Sequence, residues 1–162
     1  FREGRNYFTN LFEFDGLMAT SRGSDGSYVV KTSGELRDKT WLAGGIAYRL
    51  THTIRDKEII KTVELTYHDA WERVQIVEPF IQWAGMTVTK VDEKTVLIKT
   101  PKKSFQLKII EGAARLILGR EAAHYWFPYP ALKAYPVELE VERPVSGCKQ
   151  KVSFSISIAE RP

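Results

Sequence analysis

The sequence predicts an all-β fold: an antiparallel two-sheet β-sandwich with many short strands and little helix. Three observations carry that prediction. Apolar and polar residues alternate with period two through most of the chain. Turn-forming residues interrupt these runs at short intervals, and prolines crowd the one stretch that reads as helical. More than ten short strands with frequent turns favour a sandwich or barrel over an open sheet.

Taken in order, residues 21–27 hold Gly23, Asp25 and Gly26 and read as a flexible turn or loop. Gly44 and Gly45 mark a second break. Ile46, Tyr48, Leu50, His52 and Ile54 then share one strand face, with Ala47, Arg49, Thr51 and Thr53 on the other. Arg55, Asp56 and Lys57 make a polar turn. The next strand sets Ile59, Lys61, Val63, Leu65 and Tyr67 against Ile60, Thr62, Glu64, Thr66 and His68. Two such runs joined by a short charged turn predict a hairpin.

Downstream, Val74 and Ile76 alternate with Arg73 and Gln75, and another hairpin turns through Asp92, Glu93 and Lys94. Phe105, Leu107 and Ile109 face away from Gln106 and Lys108. Val137, Leu139 and Val141 alternate with Glu138, Glu140 and Glu142, and Val152, Phe154, Ile156 and Ile158 with Ser153, Ser155 and Ser157. One apolar and one polar face is the pattern of an antiparallel sheet packed on one side. Residues 120–125 have room for one helical turn, which Pro128, Pro130 and Pro136 prevent from continuing.

Residues 1–162 read as a single β-sandwich domain, large enough to bury a core without disulfides or metal. The chain opens at Phe1 and not at Met, which fits a processed or excised fragment of a longer protein. Cys148 is the only cysteine, which excludes an internal disulfide and a cysteine-rich metal site. A net charge of +4 is too small an excess to argue for nucleic acid. No apolar run is long enough for a membrane span.

No motif names a reaction. There is no nucleophile elbow and no glycine-rich phosphate loop, and no cofactor is expected. His52 shares the apolar face with Tyr48 and Leu50, which suits a hydrogen-bonded core or sheet-edge histidine. His68 has Asp69 beside it, but adjacent strand residues point to opposite faces. His124 has no partner at ligand spacing, and no metal is expected. Cys148, in Val145-Ser146-Gly147-Cys148, suits a turn or a small buried position.

Two features are more informative. His124-Tyr125-Trp126-Phe127-Pro128-Tyr129-Pro130 is dense in aromatic rings on a proline-stiffened segment. Tyr125, Trp126 and Tyr129 are therefore candidates for stacking on sugar faces, although plugging one end of the sandwich explains them more simply. The hairpin 90–108 carries six lysines, among them Lys94, Lys102 and Lys103, against Asp92 and Glu93, an excess as large as that of the whole chain. Such a patch steers a polyanion, and lysines also keep edge strands from pairing with one another, the plainer reading.

Gly16-Leu17-Met18 with the Ser24-Asp25-Gly26 turn, the strands Ala47-Tyr48-Arg49-Leu50 and Lys61-Thr62-Val63-Glu64-Leu65, and Val74-Gln75-Ile76-Val77-Glu78-Pro79 follow one another in an order with a precedent. It resembles the C-terminal β-sandwich of polysaccharide lyases of the heparinase II/III and oligo-alginate lyase kind, over nearly the full chain. The resemblance implies a preceding α/α toroid domain that supplies most catalytic residues, and this chain has none. It also implies an acidic polysaccharide or oligosaccharide as partner, in an exported bacterial protein, extracellular or periplasmic. No catalytic residue is carried over.

The first expectation is thus a carbohydrate-associated module of a polysaccharide-degrading protein, non-catalytic alone. The second is a stand-alone lyase or glycoside hydrolase with a site assembled from Arg49, Tyr67, His68 and Glu78. A structural or protein-interaction domain using a sheet edge is the third.

Overall fold

The computed structural model describes residues 9–10, 15–119, 134–141 and 144–159. The alternating segments form strands: β1 (Leu17–Arg22), β2 (Tyr28–Arg37), β3 (Ala43–Ile54), β4 (Glu58–Tyr67), β5 (Val74–Ile81) and β6 (Thr87–Asp92). They continue with β7 (Thr95–Lys99), β8 (Ser104–Glu111), β9 (Ala114–Leu118), β10 (Ala134–Val141) and β11 (Lys149–Ala159). All pairings are antiparallel, in an eight-stranded sheet ordered β1-β2-β3-β4-β11-β8-β7-β6 and a three-stranded sheet ordered β5-β10-β9. The two-sheet sandwich expected from the sequence is the fold observed.

Register follows from which residues must be inside. On β3 and β4, Tyr48 lies opposite Leu65 and Leu50 opposite Val63, so a slip of one residue would turn these side chains to solvent. The last strand, β11, inserts between β4 and β8 and joins the two halves of the large sheet. Val152 and Phe154 of β11 are each 1% exposed. They pack with Val63, Leu65, Tyr67, Val96, Ile98 and Leu107 of the same sheet and with Val74, Leu116, Val137 and Leu139 of the small one. Burying each such side chain contributes roughly 1.5–3 kcal/mol. Of the residues the alternation points inward, Leu50, Ile76 and Ile156 are partly buried against this core.

Both predicted hairpins form with the turns expected. Arg55 N donates to Glu58 O across the first, and Lys94 N donates to the Asp92 carboxylate in the second.

Four details differ from the sequence reading. Gly44 and Gly45 lie within β3 and do not break it. Gly45 adopts φ +70°, donates its N–H to Glu35 and accepts from His68 N, opposite a register shift between Glu35 and Arg37. The glycine pair therefore serves a bulge, where a positive φ is required. Ser21 and Arg22 belong to β1, and the turn is confined to 23–27. Ser153, Ser155 and Glu138 are buried although alternation points them outward. The serines are short residues on a strand flanked on both sides, and Glu138 lies on the central strand of the small sheet under Arg73 and Gln75. The helical turn expected at 120–125 lies outside the described residues.

Candidate functional site

The four residues proposed from the sequence as a catalytic set are divided by strand alternation. Arg49 is exposed on the outer face of the large sheet, where it pairs with Glu64 at 3.7 Å, and His68 is exposed in the bend just past the end of β4. Tyr67, one residue from His68, is 0% exposed in the core. Its hydroxyl makes no hydrogen bond among the described residues, and burial pushes its pKa above the usual phenol range, with Cys148 adding to the shift. Glu78 belongs to the small sheet and faces inward, its carboxylate held by Lys61. Tyr67 therefore cannot share a substrate with Arg49 and His68 in this fold.

His52 is half-buried on β3 opposite Lys61, and burial, then Lys61, lowers its pKa. Among the described residues, no cluster of three or more His, Cys, Asp or Glu is placed to hold a metal. Cys148 closes the turn after Val145, with Gly147 at φ +80°. Tyr125, Trp126, Tyr129 and His124 lie outside the described residues.

The lysine-rich hairpin is split lengthwise. Lys102 and Lys103 occupy the β7–β8 turn, where Thr100 closes the loop through Lys103. Lys94 stands at the other end of β7, in the β6–β7 turn. Lys90 pairs with Glu93 at 2.7 Å.

Lys94 opens onto a groove of about 680 Å³ at the end of the sandwich where β8 passes into β9. This volume falls in the roughly 300–1,000 Å³ range of small-molecule sites. Gly112 and Ala113 make the crossing between sheets, and with Ala114 they give the groove small-residue walls. Gly112 sits at φ +96°, and a Cβ there would collide with the Lys151 carbonyl, so only glycine fits.

The rest of the lining is charged. Glu140, at the centre of the small sheet, lies opposite Arg115 of β9 and Gln75 of β5. Arg115 donates to one of its carboxylate oxygens at 2.6 Å, and Arg73 approaches the other at 3.0 Å. Arg73 also lies 3.8 Å from Glu138, which accepts a hydrogen bond from Gln75 at 2.5 Å. Glu72 completes the acidic side, and Lys94 forms no ion pair among the described residues. Among the described residues, three cations thus face two carboxylates in an open groove lined by neither tyrosine nor histidine. Sequence reasoning found Lys94 and missed Arg73, Arg115 and Glu140. The alternation that sets Glu138 and Glu140 opposite the valines marked the face, but strand pairing alone brings the arginines to it.

The model of the ulvan lyase C-terminal domain matches residues 1–157. The chain belongs to that family. Solved structures agree at the level of fold. A heparan sulfate lyase HepC mutant from Pedobacter heparinus superposes with a TM-score of 0.65 at 7% identity, over 90% of this chain and 22% of that one. A crystal structure of heparinase III gives 0.65 at 8% identity, over 91% and 22%. A further heparinase III product gives 0.65 at 9% identity, over 90% and 22%. The chain thus spans little more than a fifth of the length of each. No curated protein matches the chain. The heparinase-type sandwich expected from the order of sequence features is the architecture found.

Proposed function

We propose that this ulvan lyase C-terminal domain is a non-catalytic, carbohydrate-associated module of an exported bacterial polysaccharide lyase. Its groove at Arg73, Lys94 and Arg115 contacts an acidic polysaccharide. The family match over residues 1–157 carries the reading. A larger, helical catalytic domain precedes it in the parent chain, a reading supported by the small fraction of each heparinase that the sandwich represents.

The groove's charge supports the choice of ligand, since exposed cations on a concave surface attract polyanions. Chemistry argues against catalysis by the domain alone. A lyase needs a base for the proton beside the uronate carboxylate, an acid for the leaving oxygen and a group that neutralises the carboxylate, all within hydrogen-bond reach of one sugar. The groove offers the neutralising cations, while Glu140 is engaged by two guanidinium groups and Tyr67 is sealed in the core. The test is retention of the isolated chain on heparin- or alginate-type resin. Retention that weakens with salt is expected, because exposed charges are screened within about 10 Å at 0.1 M. No retention at low salt would refute glycan contact.

A second reading, an interaction domain, is favoured by one observation. Edge strand β1 is exposed along its length, with Leu17 75% and Met18 73% accessible. Arg37 ties Asp15, just before β1, to the carbonyl of Trp41, which is itself 63% exposed beside Leu42 at 61%. Light scattering across a concentration series separates the two readings: a monomer at all concentrations removes self-association.

A further inference from the structure

Arg115 belongs to edge strand β9 of the small sheet and Arg73 immediately precedes the opposite edge strand, β5, and the two converge on one carboxylate of the strand between them. Glu140 is 23% exposed, and the arginines are 46% and 67% exposed, so all three line the groove at its open side. The guanidinium groups are thus held with their planar donors directed at an anion, and the anion present is the domain's own. Lys94 adds a cation to the same groove without an ion pair among the described residues.

We infer that Glu140 is a resident counter-ion, and that the groove is a subsite for a single carboxylate or sulfate group of a glycan, which competes with Glu140 for Arg73 and Arg115. The inference rests on the glycan-contact reading above and adds the position and the mode of binding. Guanidinium forks match carboxylate and sulfate oxygens with paired donors, and an anion already in place keeps both forks oriented before the ligand arrives. Rigidity comes from the crossing at Gly112, whose conformation admits no other residue and which places Ala114 and Arg115 at the groove edge. The competing explanation is that the arginines serve only to neutralise Glu138 and Glu140.

The two explanations predict opposite behaviour for one isosteric change. Glu140→Gln preserves shape and removes the internal anion. If Glu140 competes with ligand, this variant binds a glycan anion more tightly, by about fivefold, and Arg115→Gln and Lys94→Gln each weaken binding by about the same factor. Arg73 is left intact because it also approaches the buried Glu138. Affinities are measured by titration calorimetry at low salt, with heparin oligosaccharides as the sulfated probe and oligouronates as the unsulfated one. Thermal unfolding of each variant confirms that it is folded.

Tighter binding by Glu140→Gln with weaker binding by Arg115→Gln and Lys94→Gln supports the subsite. The effect appearing with both probes assigns it to carboxylate, and with heparin alone to sulfate. Binding by the wild type that all three substitutions leave unchanged overturns the subsite and leaves the module reading standing. Absence of wild-type binding to either probe removes glycan contact itself, and the subsite with it.

Discussion

Lys61 of the large sheet holds Glu78 of the small sheet across the interior, with its Nζ 2.6 and 2.7 Å from the two carboxylate oxygens. The side chains are 20% and 15% exposed, so the pair is largely out of water. Removing one partner strands a charge there, whereas removing both does not. Lys61→Met is expected to destabilise the domain by about 1–3 kcal/mol, and the double change Lys61→Met/Glu78→Leu to recover most of that loss. Urea unfolding of both variants checks the expectation. A double variant no more stable than the single one would show that the pair does more than neutralise itself.

The core makes a contrasting pair of predictions. Phe154→Ala leaves a cavity between the sheets and should cost about 3–5 kcal/mol, and Leu65→Ala about 2–5 kcal/mol. Tyr67→Phe removes a buried hydroxyl that has no hydrogen-bond partner among the described residues. It is therefore expected to leave stability unchanged or to raise it by up to about 1 kcal/mol. Marked destabilisation by Tyr67→Phe would reveal a partner for that hydroxyl.

Gly112 links the fold to the groove. Gly112→Ala adds a methyl group against the Lys151 carbonyl and forces a non-glycine residue to φ +96°. The strained backbone alone costs about 1–3 kcal/mol, and the clash with the Lys151 carbonyl adds to it. Because the strain falls at the β8–β9 crossing, glycan affinity should decline even where the variant remains folded. Full affinity in a folded Gly112→Ala domain would detach the groove from this crossing.

Acid sensitivity is concentrated in the turns and at strand ends. Hydrogen bonds from the Ser27 hydroxyl and N–H, then Arg55, bring the Asp25 carboxyl down to about 2. The Thr40 hydroxyl lowers Asp38, the Lys94 N–H lowers Asp92, and Lys151 lowers Glu111. A pKa depressed by folding means that the unfolded chain binds the proton more readily. The stabilisation is then complete above about pH 4 and fades as pH falls through the folded value. The stability gap between wild type and Asp25→Asn should accordingly be widest at neutral pH and close near pH 2. A gap independent of pH between 2 and 5 would contradict this account of the turn.

The strands were legible because the core requires alternation of them: Tyr48, Val63, Leu65, Leu107 and Phe154 point inward in sequence pattern and in structure. Gly45 was misread because a glycine pair punctuates loops and bulges alike, and only the partner strand tells them apart. The groove was scarcely legible. Lys94 belonged to a visible run of charge, but Glu140 and Arg115 lie on two strands, and Arg73 at the start of a third, whose pairing is set by the whole sheet. Tyr67 and His68 show the converse. Period-two alternation already separated them, and the structure buries one and exposes the other.

The most direct test of the central claim, a glycan-contacting module without chemistry of its own, is an assay for unsaturated product. The isolated chain is incubated with a panel of uronate polymers at low salt while absorbance of the product is followed. The account predicts no product from any polymer, with the chain retained on the polyanionic ones. Turnover that His68→Ala abolishes while the fold stays intact would contradict it, and would place an active site at the exposed bend that follows β4.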